Sequence, residues 1–98
     1  MIYRLNTTIT PLGHFRRNKV GYDPTTVTLT IRKPRSADVV KAKADLLNDS
    51  VGDYALDLEL NERGTWRLAW VGTGTYVDAQ SRIRPYHEAF TQVIRVYQ

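Results

Sequence analysis

Two short stretches in which apolar residues recur at every second position constrain this chain more than anything else in it. Thr25 to Arg32 reads TTVTLTIR, with Val27, Leu29 and Ile31 alternating with Thr26, Thr28, Thr30 and Arg32. Tyr54 to Leu60 reads YALDLEL, with Tyr54, Leu56, Leu58 and Leu60 alternating with Ala55, Asp57 and Glu59. A period of two puts every apolar side chain on one face of a strand and every polar one on the other. Asp23-Pro24 and Pro34 bound the first stretch and Gly52-Asp53 opens the second, so both are short strands with one buried face.

The only two tryptophans follow directly, in Gly64 to Gly74, GTWRLAWVGTG. Asn61-Glu62-Arg63-Gly64 supplies a turn with glycine where a positive φ is expected. The sequence therefore predicts a hairpin, with Thr65 to Val71 as the returning strand and Trp66, Leu68 and Trp70 on its inner face. A helix is disfavoured because glycines at 64, 72 and 74 leave too little chain between breakers. Gly72-Thr73-Gly74 reads as the next turn and Tyr76 to Ile83 as a further strand. Ile2 to Thr10 reads as a strand with Tyr3, Leu5, Thr7 and Ile9 on one face. Residues 12 to 24 read as a basic loop. Asp38 to Leu47 fits either period and is assigned to a strand by context. Glu88 to Thr91 is compatible with a helical turn.

Together these elements predict an all-β, immunoglobulin-like antiparallel β-sandwich of roughly six or seven strands, with a small barrel as competitor. The expected body is 1-84, with 85-98 as a C-terminal extension. Its expected core comprises Val27, Leu29, Ile31, Tyr54, Leu56, Leu58, Trp66, Leu68 and Trp70. A chain of 98 residues supports one such core.

No cysteine is present, which excludes disulfides and thiolate metal sites. No apolar run is long enough to cross a membrane as a helix. The opening MIYRLNTT lacks the apolar stretch of a signal peptide, so the expected setting is the cytosol or a particle assembled there. The formal net charge of +4 is modest. The residues offer little catalytic chemistry. His14 and His87 have no second histidine at ligand spacing. Ser36, Ser50 and Ser81 lack a nucleophile-elbow signature. Asp57 and Glu59 read as a solvated strand face, and Gly72-x-Gly74 lacks the third glycine and helix of a phosphate-binding loop. The expectation is a non-enzymatic protein with neither cofactor nor metal.

Two segments stand out as contact surfaces. Phe15, Arg16, Arg17, Lys19 and Tyr22 set aromatics among cations, a composition suited to a protein interface or to nucleic acid. Val93, Ile94, Val96 and Tyr97 form an apolar, β-branched terminus suited to strand addition on a neighbour's sheet edge. A carbohydrate-binding module is the alternative of another class, and it requires Tyr76, Tyr86 or Tyr97 to form a common exposed platform.

The order YDPTTVTLTIRKP, then GDYALDLEL, then GTWRLAWVGTG resembles a group of small immunoglobulin-like structural proteins of tailed bacteriophages. Their pattern is a D-P-T-x-V-T-L strand, a G-x-Y strand, a G-T-W strand with a second aromatic, and a G-T-G turn. The likeness runs from Tyr22 to Gly74. It departs at Pro34-Arg35-Ser36-Ala37-Asp38, where the family often carries P-D-G-T, and 85-98 has no counterpart. The resemblance implies a virion protein of the neck or head–tail connector, with capsid decoration as runner-up. Its partners would be portal, adaptor, capsid or tail subunits and further copies of itself. No membrane partner is expected, and contact with DNA is a lesser alternative.

Overall fold

The computed structural model describes residues 2–97. Over these residues the chain is all β, in twelve strand segments and a single 3-10 turn at Lys43–Asp45. The strands are β1 Ile2–Arg4, β2 Thr7–Ile9, β3 Leu12–His14, β4 Arg16–Arg17, β5 Val20–Gly21, β6 Thr26–Arg32, β7 Val39–Ala42, β8 Leu47–Ser50, β9 Asp53–Ala55, β10 Leu58–Leu60, β11 Gly64–Val77 and β12 Ile83–Tyr97. One layer is a five-stranded sheet in the order β1-β12-β11-β6-β7. The other is assembled from the small sheets β2-β10, β3-β9-β8 and β4-β5. All pairs are antiparallel except β1 with β12. The architecture is of the sandwich type.

The alternation read in TTVTLTIR is reproduced by β6, where Val27, Leu29 and Ile31 are buried. Trp66, Leu68 and Trp70 of β11 are buried beside them, because Leu68 pairs with Ile31 and Trp70 with Leu29. Directly paired residues share a face, so the register alone builds this half of the core. Tyr54, Leu58 and Leu60 close it from the opposite layer, while Leu56 is half-buried against it. Each buried indole still satisfies its N–H. Trp66 Nε1 donates to Glu62 O at 3.0 Å and Trp70 Nε1 to Gln92 Oε1 at 3.0 Å. Gln92 Nε2 then donates to Leu12 O at 2.8 Å, tying the two layers together.

Several expectations fail, each for a physical reason. The hairpin expected at Asn61–Gly64 does not form: β10 pairs with β2 and β11 with β12 and β6, so the chain changes layers there. Gly64 does have positive φ, at 124°. The expected strand over residues 54–60 is two strands, because β9 and β10 take different partners on either side of Leu56-Asp57. The expected strand over residues 2–10 is likewise broken. Asn6, at φ 66°, lets the chain cross from β1 in the large sheet to β2 in the small one.

Another concerns Gly72-Thr73-Gly74, which is no turn but the middle of β11. Its glycines answer to packing. A Cβ on Gly72 would lie 2.6 Å from Phe15 Cε1, and one on Gly74 would lie 2.7 Å from the Tyr22 hydroxyl. The second layer presses on the strand at these two points, and only a residue without a side chain leaves room. With no turn at residue 74, the strand continues to Val77, and the true reversal occurs at residues 78–82. The segment expected as a separate extension, 85–98, therefore falls within β12 up to Tyr97, paired with β11 from Val77↔Ile83 to Gly64↔Val96. Glu88 to Thr91 is strand, not helix.

Candidate interface at the hairpin tip

The β11–β12 ladder outruns its neighbours. Pairing with β6 ends at Thr73, and beyond it Gly74–Val77 and Ile83–Tyr86 continue as a two-stranded ribbon. The molecule is correspondingly elongated, 54 × 23 × 21 Å, with a radius of gyration of 15.2 Å. A compact chain of this length has about 13 Å.

The loop at the tip has sequence-encoded geometry. Asp78 N donates to Arg82 O at 2.9 Å and Ser81 N to Asp78 O at 3.0 Å. Ser81 takes φ 62°, as expected for a three-residue hairpin loop ending in a left-handed residue. Asp78 Oδ1 accepts the backbone N–H groups of Gln80 and Arg82, each at 2.9 Å, and Oδ2 accepts Arg84 Nε at 2.9 Å. The Arg82 N–H and then the Arg84 side chain hold the Asp78 carboxyl below the usual carboxylate range.

One face of the ribbon is braced by the β4–β5 hairpin and the segment after it. The Arg17 guanidinium carbon lies 3.8 Å from the Tyr76 ring centroid. Tyr22 packs on Tyr86 with centroids 4.1 Å apart, and its hydroxyl donates to Thr75 O. The Tyr86 hydroxyl donates to Glu88 Oε2 at 2.7 Å, and burial followed by that carboxylate pushes its pKa well above the tyrosine norm. The other face is bare. Val77 and Ile83, paired in register, are 62% and 75% exposed. Two apolar side chains opposite one another on an ordered projection form the most anchor-like feature of the described surface.

The residues proposed as contacts from sequence are divided differently by the structure. Phe15 is not an interface residue: it is fully buried, 5.4 Å from Phe90 and 5.9 Å from Tyr54 between ring centroids. Its flanking position in a basic run concealed this, because strand β4 is too short to show alternation. Arg16 is spent on Asp53, with Nη2 2.8 Å from Oδ1. Arg17 lies over Tyr76, Tyr22 is half-buried in the ribbon's brace, and Lys19 is exposed in the β4–β5 turn at φ 67°. Ile94 and Val96 are core residues, while Val93 and Tyr97 are exposed on the opposite face of β12. Among the described residues no free arm exists for strand addition, because Arg95 to Tyr97 already pair with β1 and β12 pairs with β11 from Ile83 to Val96. The expected tyrosine platform is not formed. Tyr86 is buried, Tyr76 lies beneath Arg17, and Tyr97 is on the other face of the sheet.

Ser50, His14 and Asp53 do come together, in an arrangement unlike a nucleophile–base pair. Ser50 Oγ donates to Asp53 Oδ2 at 2.6 Å, and His14 Nδ1 lies 2.8 Å from Asp53 Oδ1. Both partners address the carboxylate and neither addresses the other. The Ser50 hydroxyl, His14 and Arg16 hold Asp53 far below the usual carboxylate range. The cluster ties β3 and β4 to the β8–β9 hairpin. Asp23 also acts across the layers: its Oδ1 accepts Gly52 N at 2.6 Å. Among the described residues no group of three or more His, Asp or Glu side chains is placed to hold a metal ion. No helix among them is long and apolar enough to cross a membrane.

The sequence predicts Tyr76 to Ile83 as one strand, whereas these residues form the hairpin tip. Their signal was present in Asp78-Ala79-Gln80-Ser81, whose aspartate suits the first position of a turn, but the glycines at 72 and 74 drew the turn forward. Comparison with family models, curated proteins and solved structures gave no match.

Proposed function

We propose that this chain is a non-enzymatic structural protein of a tailed-bacteriophage virion, a multi-copy neck or head–tail connector component that docks through its projecting hairpin. The observation that carries this reading is the tip itself. Exposed Val77 and Ile83 stand on a ribbon braced by Arg17, Tyr22 and the Asp78 turn. A preordered projection loses little conformational entropy on binding, and repetition around a ring multiplies weak contacts. The order of residues from Tyr22 to Gly74, which resembles small structural proteins of such phages, supports the virion setting. No further resemblance is required for the docking role.

The test is particle incorporation. Val77→Asp with Ile83→Asp is expected to fold with an unchanged tryptophan emission spectrum, because both side chains are solvent-facing. The variant should be missing from purified particles that contain the wild-type protein. Incorporation at the wild-type copy number would overturn the docking role. A wild-type copy number of hundreds per particle, in place of roughly a dozen or fewer, would replace the connector with capsid decoration.

A further inference from the structure

We propose that the outer face of the five-stranded sheet binds the phosphate backbone of double-stranded nucleic acid through a row of four arginines. The inference stands on this face alone and does not depend on the assembly reading.

The register defines the face. It presents Ile2 and Arg4 from β1, the odd-numbered residues 83–97 of β12, the odd-numbered residues 65–77 of β11, the even-numbered residues 26–32 of β6, and Val40 and Ala42 of β7. No aspartate or glutamate occurs among these positions. The second layer packs on the opposite face, so this one meets solvent. Arg32 is directly paired with Arg67; Thr65, two positions before Arg67, is paired with Arg95; and Ile2, two before Arg4, is paired with Arg95 as well. Each of four adjacent strands thus contributes one arginine to a diagonal line Arg32, Arg67, Arg95, Arg4. Diagonal neighbours on a sheet are about 7–8 Å apart.

The line has little internal compensation. Arg32 Nε lies 3.7 Å from Asp38 Oδ2 in an exposed pair, an arrangement of small energetic weight. Arg4, Arg67 and Arg95 have no ion-pair partner among the described residues. Direct cross-strand pairing of like charges, as in Arg32 with Arg67, is itself destabilising. These four arginines equal the chain's formal net charge of +4, so its other basic residues balance its acidic ones.

A partner for this face is expected to be anionic, since the face presents four arginines and no carboxylate. Between the row and the hairpin tip the face is Thr28, Thr30, Ala69, Val71, Ala89 and Thr91; exposed Val93 stands opposite Arg67 in the row, and Val77 and Ile83 lie on the same face at the tip. Arginines among threonine hydroxyls are the side chains that contact phosphate oxygens. Tyr97 is the only aromatic residue besides His87 on the face, so it offers no stacking platform for single strands. A sheet face with a line of guanidinium groups offers a series of phosphate contacts.

The experiment is fluorescence anisotropy of the full chain with a labelled DNA duplex of about 20 base pairs and arbitrary sequence. Four phosphate contacts give a slope of log affinity on log salt of about −3.6, a weakening on the order of 100-fold between ~50 and ~200 mM salt. Arg67→Glu with Arg95→Glu should weaken binding at low salt at least ~10-fold, and Arg67→Gln with Arg95→Gln should flatten the slope by about two. Lys19→Glu with Arg35→Glu, which makes the same charge change off this face, should bind within about threefold of wild type. Tryptophan emission checks that every variant is folded. Absence of duplex binding at low salt overturns the proposal, as does an equal loss in the off-face control. Displacement of the duplex by poly-glutamate at matched charge would assign the face to an acidic protein, and preference for single strands would also refute the proposal.

Discussion

At the scale of single residues, the least conspicuous side chains set the packing. Gly72 sits where the Phe15 ring meets β11, and Gly13 sits where the Trp70 ring meets β3. A Cβ at residue 13 would lie 2.6 Å from Trp70 Cε3. Both neighbours are large, fully buried rings with no room to retreat. Gly72→Ala is therefore expected to cost about 1–3 kcal/mol in urea unfolding through overpacking, and an unchanged midpoint would show that Phe15 can move. Tyr54 carries a different signature. Burial, and then the Asp23 carboxylate 3.3 Å from its hydroxyl, pushes its pKa up to about 12. The unfolded phenol ionises near 10. The stability it contributes is fully present below about pH 10 and is lost as pH rises toward 12, because the unfolded state gives up its proton first. Thermal melts should show wild type losing more stability across that window than Tyr54→Phe. Equal losses would place the alkaline transition elsewhere.

At the scale of elements, β11 and β12 dominate. They are the longest strands and neighbours in the large sheet, they contribute much of the core, and they form the projecting tip. Ile94 and Val96 fill the core from β12, and Gln92 holds the Trp70 indole. Arg95 to Tyr97 supply the only partner of β1 in the sheet among the described residues. Deleting residues 92–98 is thus expected to abolish folding. The far-ultraviolet spectrum would lose its strand signal, and tryptophan emission would shift to that of a hydrated indole. A folded truncation product would mean that β12 contributes far less than its burial implies. The short strands behave differently. β4 and β5 have only two residues each, and their hairpin turns through Asn18 and Lys19, both at positive φ. It is held by Phe15 beneath it and by Arg17 on the β11 ribbon, not by its own ladder.

At the scale of the whole molecule, the two layers are unequal. The large sheet is continuous and the smaller sheets are patched onto one of its faces, leaving the other face open and cationic. The hairpin extends past both, which gives the 54 Å axis. What the sequence determined by itself was local. Alternation identified β6, the inward Trp66, Leu68 and Trp70, and the buried Tyr54 and Leu58, because a period of two needs no knowledge of partners. The all-β class followed from the same signal. Only the tertiary structure decided which strands pair. YALDLEL divides between two sheets, and the turn at residues 61–63 joins layers in place of forming a hairpin. The glycines at 72 and 74 stay in the strand because Phe15 and Tyr22 arrive from far away in the chain. A glycine that frees a turn and a glycine that admits a distant ring look identical in sequence; the difference is a neighbour brought there by folding. The arginine row has the same origin. Four residues scattered from 4 to 95 become one charged line only when four strands take their register.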